Sequence, residues 1–461
     1  MAQRFVRVDR DTPMLLPVDL RDWVPEDDLV HFVIEATDRL ALSHFKVNER
    51  GTGSAQMPPH MMLALLVYSY CNGIFSSRKM ERATYRDIAV RYLTGDHHPD
   101  HDTIAKFRRE NLGAVSAAFV DILMLARTVG MLKMGKVSTD GTHLKANASI
   151  DKNLTHARAT ALREQLQIDI KELLEQAESA DTTSSDEQAL PEPIARREAL
   201  KAKMDQAIAE LGERAEGERQ AQQEDYEKKL AAREQREQQG KRPGRQPRPP
   251  GSAEEIARVS KQQVNLTDPD ARLMRKNKRS SYTQSYNCQA SVEAEGSALI
   301  VGQHLSQSAS DAGELLGAYA AIPGEVGRPE AILADAGYLN AAAIETLQQQ
   351  GCEVYCSTHR EDAHSERRYD YRPPEKSQRK RLKLTHPTLI AMHEKLATET
   401  GKAIYKLRAQ SVEPVFGIIK SVMGFRGFQL RGLQKARGEW NLVCLSYNIK
   451  RLHTLIQAQT P

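Results

Sequence analysis

The chain has 461 residues, 40% hydrophobic and 27% charged, and a formal net charge of +4 from 65 Lys and Arg against 61 Asp and Glu. Its longest apolar run, residues 61–70, is too short for a membrane-spanning helix, and residues 1–20 lack the pattern of a secretory signal. The five cysteines do not indicate a disulfide framework, so we expect a cytoplasmic protein that makes no membrane contact. The mild positive charge permits a nucleic-acid partner without requiring one.

Residues 1–130 are predicted to be helical. An acidic turn at residues 26–28 precedes apolar positions at helical spacing, and residues 60–71 form a helix that is apolar nearly all round and should therefore be buried. Two further helical stretches follow at 76–93 and 101–132. Short helices joined by tight turns predict an all-α N-terminal domain of the helix-turn-helix type.

Basic side chains are frequent on these helices, and exposed Arg and Lys position DNA through its phosphates without reading its sequence. The alternative is an ordinary solvated helix face. The candidates for DNA contact are Arg78, Lys79, Lys106, Arg108 and Arg109.

Residues 135–149 change character. Val137 is followed by a polar stretch with Asp140-Gly141 at its centre, which predicts a strand, a tight turn and a second strand. The next segment, 152–264, is rich in Glu, Gln, Arg, Lys and Ala and predicts long solvated helices or an antiparallel hairpin. Within it, the basic, Pro-rich residues 241–250 predict an extended linker that either contacts DNA or stays disordered.

Strand patterns return after the insertion, which predicts one α/β (α+β) domain over 131–461 that is interrupted by 152–264. The predicted strands are two around a Glu-Gly turn in 289–306, one in 330–339 and one in 352–357, and the predicted long helices are 388–400 and 403–460, with breaks at glycines.

Two acids in this domain follow β-type runs and precede glycine, namely Asp140 and Asp335. Carboxylates at such sheet edges suit a hard divalent cation, and with Glu413 as a third acid they could hold two Mg²⁺ ions about 3.5–4 Å apart for in-line phosphoryl transfer. The alternative for each Asp is a capping residue in an ordinary turn.

The segment around Glu413 presents Tyr405, Arg408, Glu413 and Lys420 within an arc of about 140° on an ideal helix. A carboxylate flanked by Arg, Lys and a phenol can bind metal and adjacent phosphates together. The alternative is an amphipathic helix with a charged edge, and Pro414 is expected to interrupt it.

Taken together, these motifs resemble bacterial insertion-sequence transposases of the DDE type, in the IS4/IS5 grouping and its IS1182-like branch. The resemblance extends over nearly the whole chain outside the insertion. The segments that carry it are residues 60–111, STDGTHLKANAS (138–149), NLTDPDARLM (265–274), SYNCQASV (285–292), ILADAGYLN (332–340) and YKLRAQSVEPVFGIIK (405–420).

The resemblance implies a ribonuclease H-like catalytic domain with Asp140, Asp335 and Glu413 as metal ligands, and with Tyr405, Arg408 and Lys420 on DNA phosphates near the cleavage site. It implies a nucleoid-associated enzyme that cleaves the inverted-repeat ends of its element and joins the 3′-hydroxyl ends to target DNA. Two Mg²⁺ ions, replaceable by Mn²⁺, and a homodimer on double-stranded DNA are implied as well. The sequence departs from the family signature in having four residues, instead of three, between Arg408 and Glu413.

Other acids and cysteines are candidates for the same metal chemistry, but each fits a structural role better. Asp268 and Asp270 fit a capped Pro turn, Asp311 fits a helix N-cap, and Cys352 and Cys356 fit buried structural cysteines better than a zinc site with His359. Two other functions stay open: a ribonuclease H-like DNA nuclease that does not join strands, and a non-catalytic DNA-binding regulator.

Overall fold

The computed structural model describes residues 19–47, 55–181, 191–240, 242, 244–275, 279–358 and 384–459. Residues 1–18 of the predicted N-terminal domain, residues 241 and 243 of the predicted linker, and His359 lie outside the described residues.

The N-terminal part of the chain is a group of short helices. The second of them is buried along almost its whole length, from Met62 to Cys71, which confirms the prediction for residues 60–71. The two longer predicted stretches are each divided: Asp87 caps a new helix by accepting from the amide of Val90, and a bend of 69° follows Glu110. The helices are α1 (Leu29–Asp38), α2 (Pro59–Cys71), α3 (Ser77–Arg86), α4 (Ile88–Thr94), α5 (His101–Glu110) and α6 (Leu112–Thr128).

A mixed sheet forms the centre of the molecule. Its two longest strands run antiparallel to each other. On the other side of the first of these two, a pair of short strands extends the sheet and runs parallel to it. The strands are β1 (Lys136–Lys145), β2 (Asn153–Leu154), β3 (Val264–Asn265), β4 (Arg272–Met274), β5 (Thr283–Glu293), β6 (Ile300–Ser306), β7 (Ala331–Ala334) and β8 (Glu353–Cys356). The order is β4-β5-β1-β7-β8, with β6 also on β5, while β2 and β3 pair separately.

The predicted Asp140-Gly141 turn is wrong. Both residues lie inside the continuous strand β1, where Asp140 pairs with Ala290 and Gly141 with Gln289 of β5. An unbroken antiparallel ladder along a buried partner strand outweighs the local preference of an Asp-Gly pair for a turn.

The insertion is an antiparallel helical hairpin, as predicted. Arg163 lies 3.7 Å from Asp205 and Arg197 lies 4.0 Å from Asp169, so residue numbers rise on one helix as they fall on the other. At 48 residues, the second helix is about 72 Å long. The insertion contains α7 (His156–Asp181), α8 (Pro191–Gln238) and α9 (Ala253–Val259).

Helices cover the sheet and complete the chain. The helix that carries Glu413 runs through Pro414 without a break and ends in a single π-type stretch, Ile418–Val422. The chain then turns through residues 423–432, where Gly424 and Gly432 have positive φ angles, before the last helix. The helices are α10 (Glu314–Ala320), α11 (Ala341–Gln349), α12 (Pro387–Ala397), α13 (Glu399–Gly417) and α14 (Leu433–Gln457).

One hydrophobic core joins the N-terminal helices to the sheet. Helix α14 is buried over most of its length and contacts α2, α6 and β6. Its Trp440 is fully buried and donates to the backbone oxygen of Gln289 at 3.1 Å. Among the described residues no single helix is long and apolar enough to cross a membrane, and α5 with α6 reaches that length only across its 69° bend.

Candidate active site

The parallel pairing of β1 with β7 brings two of the predicted acids together. Ser138 pairs with Leu333, and β7 ends at Ala334. Asp140 lies two residues beyond Ser138, and Asp335 lies two residues beyond Leu333. The two acids therefore lie beside each other. Asp335 begins the next short turn, where its carboxylate accepts from the amide of Gly337 at 2.7 Å.

Helix α13 crosses the same face of β1. Alternate residues of a strand point to one side, and here Ser138, Asp140 and Thr142 all meet the α13 segment. Ser411 donates to Ser138 at 2.7 Å within the buried interface. One turn earlier, Arg408 lies 3.7 Å from the Asp140 carboxylate, and Lys420, in the π-type stretch, donates to Thr142.

Arg408 connects the third acid to the first. Its guanidinium lies 3.7 Å from Asp140 and 3.4 Å from Glu413, and its side chain is only 7% exposed. The side chain of Glu413 is 55% exposed. The buried cation therefore offsets the charge of two carboxylates that come from different elements.

The pKa of Asp140 is shifted by its burial and by neighbouring carboxylates. Burial, together with the like charges of Asp335 and Asp311, raises the pKa of Asp140 to about 7, although the Gly141 amide and Arg408 act to lower it. Burial and the same three carboxylates hold the pKa of Tyr338 well above its usual range.

A fourth acid, Asp311, belongs to this neighbourhood. The sequence predicts Asp311 as the N-cap of α10, but the N-cap of that helix is Gly313. The Asp311 carboxylate accepts from the side-chain amides of Asn287 at 2.8 Å and Gln289 at 2.6 Å, and Gln289 accepts from Tyr338. The signal that could have indicated this network is the row of alternate polar residues on a central strand, Ser285, Asn287, Gln289 and Ser291.

Gly141 leaves room for that network. A Cβ atom at this position would lie 2.3 Å from Gln289 Nε2, 2.5 Å from Asp311 Oδ1 and 2.9 Å from Asn287 Oδ1. The Gly after the first acid is therefore explained by the close approach of side chains from β5 and from the loop before α10, not by a turn.

The donor chemistry of the site fits hard divalent cations. Asp140, Asp335 and Glu413 offer carboxylate oxygens, and a bound cation would offset the negative charge that Asp335 and Asp311 add beside the buried Asp140. Among the described residues, no three His, Cys, Asp or Glu side chains lie close enough to hold a metal ion as they stand. The candidate ligands are Asp140, Asp335 and Glu413.

The candidate DNA contacts occupy different environments. Arg78, Lys79, Lys106 and Arg109 are exposed on α3 and α5, but Arg108 is buried, with Nη1 donating to Tyr70 at 3.0 Å and to the Phe75 backbone oxygen at 2.8 Å. Near the acids, Lys420 is partly exposed, and Tyr405 packs with Leu333 and Tyr355 beside the sheet.

The competing residues have structural roles. Asp268 is buried and accepts from the Tyr286 hydroxyl at 2.9 Å and the Gly432 amide at 3.2 Å. Asp270 accepts from the Leu433 amide at 2.8 Å and so caps α14. Cys352 and Cys356 are buried and free, as predicted.

Two family models match parts of the chain. A family model described as "Transposase domain (DUF772)" matches residues 18–110, and one described as "Transposase DDE domain" matches residues 351–453. The two matches support a DDE-type transposase enzyme with DNA as its partner, and DDE transposase domains generally use divalent metals. The second match includes Arg408 and Glu413. No curated protein and no solved structure matches the chain.

Proposed function

We propose that the chain is the transposase of a bacterial insertion sequence of the IS4/IS5 grouping, in its IS1182-like branch. It cleaves phosphodiester bonds at the inverted-repeat ends of its element and joins the 3′-hydroxyl ends to target DNA. The observation that supports the proposal is that Asp140 lies beside the end of β7, where Asp335 follows, and that Arg408 lies within 4 Å of both Asp140 and Glu413.

The proposed catalytic domain is ribonuclease H-like. The supporting feature is the sheet: three antiparallel strands, β1, β5 and β6, continue into two parallel strands, β7 and β8, and the acids lie where β1 passes the end of β7. The insertion then leaves the sheet after β1, so it lengthens the chain between two catalytic acids without entering the core.

Each group at the site has a proposed role. Two bound Mg²⁺ ions, with Mn²⁺ as a substitute, would supply activation of the attacking oxygen and stabilisation of the leaving oxygen. Asp140, Asp335 and Glu413 would hold them, and Lys420 and Tyr405 would orient the adjacent phosphates. Arg408 would keep the two nearest carboxylates in position and stabilise charge that develops on the phosphate.

The N-terminal helices are the proposed end-binding domain, of helix-turn-helix type. Their exposed cations Arg78, Lys79, Lys106 and Arg109 would contact DNA phosphates. Arg108 is left out of this set because its guanidinium is enclosed. Since transposition pairs two DNA ends, we propose that the active form is a homodimer on double-stranded DNA.

Plasmid cleavage tests the proposal. The substrate carries the DNA that flanks the gene, and Asp140→Asn, Asp335→Asn and Glu413→Gln are compared with wild type and with the exposed-acid control Asp102→Asn. We expect Mg²⁺-dependent or Mn²⁺-dependent cleavage and joining, reduced at least about 10³-fold in the three variants and unchanged in the control, with DNA binding retained.

Three outcomes would contradict it. A site variant that still cuts removes that acid from the assignment. Cleavage without any joined product indicates a nuclease, and binding without cleavage in either metal indicates a DNA-binding regulator.

A further inference from the structure

The outer end of the helical insertion carries a cluster of basic side chains. Helix α8 leaves the body of the molecule near Arg214, which donates to the backbone oxygens of Gln263 at 3.1 Å and Pro269 at 2.7 Å. From there it continues to Gln238, about 36 Å further at 1.5 Å per residue. We call residues 219–240, 242 and 244–251 the distal arm. The arm has eight described Lys and Arg residues against five acids: Arg219, Lys228, Lys229, Arg233, Arg236, Arg242, Arg245 and Arg248, against Glu224, Asp225, Glu227, Glu234 and Glu237.

The Pro-rich segment is not a free linker. Residues 244–251 run back along α8 and form with it a groove of about 630 Å³. Its charged lining is Lys229, Arg233 and Arg236 from α8, and Arg245 and Arg248 from the returning chain, against the single carboxylate of Asp225. That carboxylate is paired with Lys229, and Arg233 lies 3.6 Å from Glu237, so the arginines give the lining an excess of positive charge.

The arginines are arranged in two rows. Lys229, Arg233 and Arg236 are four and three residues apart, so they share one face of α8 over about 10 Å. Arg245 and Arg248 are three residues apart in a Pro-rich segment, and an extended polyproline chain has three residues per turn. Both rows line the same groove.

One of these cations lacks the contacts that its position demands. Nη1 of Arg233 is buried and has no hydrogen-bond partner among the described residues, and its Nη2 lies 3.6 Å from Glu237. A buried guanidinium nitrogen is stabilised by an acceptor, and a phosphate oxygen in the groove would supply one.

We infer that the distal arm is a binding site for the phosphate backbone of duplex DNA. A duplex is a polyanion with about one charge per 1.7 Å of its axis, and it would face two rows of cations, one on helix α8 and one in the Pro-rich segment. Arginine's planar fork suits phosphate, and phosphate contacts carry no sequence information, so the arm would hold DNA without selecting it. This inference rests on the proposed function only in taking DNA as the partner.

The test measures binding of the full chain to a duplex of about 30 base pairs and arbitrary sequence. Binding is followed by fluorescence anisotropy in EDTA, between about 50 and 200 mM salt. The arm variant is Arg233→Ala, Arg236→Ala, Arg245→Ala and Arg248→Ala together. The matched control removes four charges from the antiparallel part of α7 and α8: Arg158→Ala, Arg196→Ala, Lys201→Ala and Lys203→Ala.

We expect the arm variant to bind on the order of tenfold or more weakly, with a plot of log affinity against log salt that is shallower by about 2–4. The control should stay within about twofold of wild type. Replacing the same four arginines by Lys should keep most of the salt slope, which separates charge from folding of the arm.

The inference is overturned if wild type binds the duplex and the arm variant binds with the same affinity and slope. It is also overturned if the arm variant binds the duplex as wild type does and loses affinity only for single-stranded RNA. Failure of wild type to bind any duplex would overturn the proposed function as well, whereas normal arm-dependent binding without metal-dependent cleavage would overturn only the catalytic proposal.

Discussion

At the scale of single residues, the charge balance of the site depends on Arg408. Its side chain is 7% exposed, and it lies within 4 Å of both Asp140 and Glu413. A buried arginine is stabilised when carboxylates surround it, and removing it leaves those carboxylates to repel each other. The sequence predicts that Arg408 contacts phosphate, and in the folded protein its guanidinium also contacts the acids themselves.

Arg408→Ala should lower metal-dependent DNA cleavage on the order of 10²-fold, because the site loses both its positioned cation and the alignment of two carboxylates. Single-turnover cleavage measures the effect. Lys406→Ala, an exposed cation on the same helix, is the matched control and should cleave like wild type. Equal rates for the two variants would exclude the proposed role.

Asp140 predicts a dependence of stability on pH. Since burial and neighbouring acids raise its pKa in the folded protein to about 7, the folded state binds a proton that the unfolded state releases, and stability falls as pH rises from about 4 to 7. Asp140→Asn should therefore stabilise the metal-free protein by at least about 1 kcal/mol at pH 8, and the gain should be clearly smaller at pH 5. Urea unfolding in EDTA at both pH values measures it; a gain independent of pH would contradict the assignment.

At the scale of elements, β1 organises the site through its two faces. Ser138, Asp140 and Thr142 meet α13, while Gly141 makes room for side chains from β5. The sequence predicted Asp335 at a strand end because a short apolar run before an acid and a glycine is a local pattern. It predicted a turn at Asp140 because pairing with β5, more than a hundred residues later in the chain, leaves no local signal. The contacts of Asp311 were missed for the same reason.

Gly141→Ala tests this arrangement. The added methyl group would displace the Gln289 and Asp311 side chains but would leave the β1–β5 ladder intact, so we expect a loss of about 1–3 kcal/mol in unfolding free energy. Cleavage should fall more than stability alone explains. Gly113→Ala, where a Cβ atom meets nothing within 4 Å, is the control. Full activity of Gly141→Ala would show that the network does not position the acids.

At the scale of the whole molecule, a buried polar network joins the N-terminal helices to the catalytic part. Glu439 of α14 accepts from the Tyr70 hydroxyl at 2.7 Å and from the amides of Gln429 and Leu430 at 2.9 Å each. Arg108 donates to the same Tyr70 hydroxyl, and burial raises the pKa of Glu439. The two regions therefore share charged contacts as well as one hydrophobic core, and we expect them to unfold together.

Glu439→Ala should lower the free energy of unfolding by about 3–5 kcal/mol, since it leaves Arg108 buried without its carboxylate neighbour. Urea unfolding followed by circular dichroism measures the change, and Glu394→Ala, an exposed acid on α12, should change it by less than about 0.5 kcal/mol. A second unfolding transition in wild type would contradict the shared core.

A metal switch at Asp335 tests directly whether this acid is a metal ligand. A thiolate in place of the carboxylate favours softer cations over Mg²⁺, so a ligand replaced by Cys changes the metal that supports the reaction. Cleavage of the flanking-DNA plasmid by Asp335→Cys should be lost in Mg²⁺ and recovered in part in Mn²⁺ or Cd²⁺, while Asp335→Ala stays inactive in all three. Equal activity of Asp335→Cys and wild type in Mg²⁺, or no recovery in the softer metals, would contradict the assignment of Asp335 as a metal ligand.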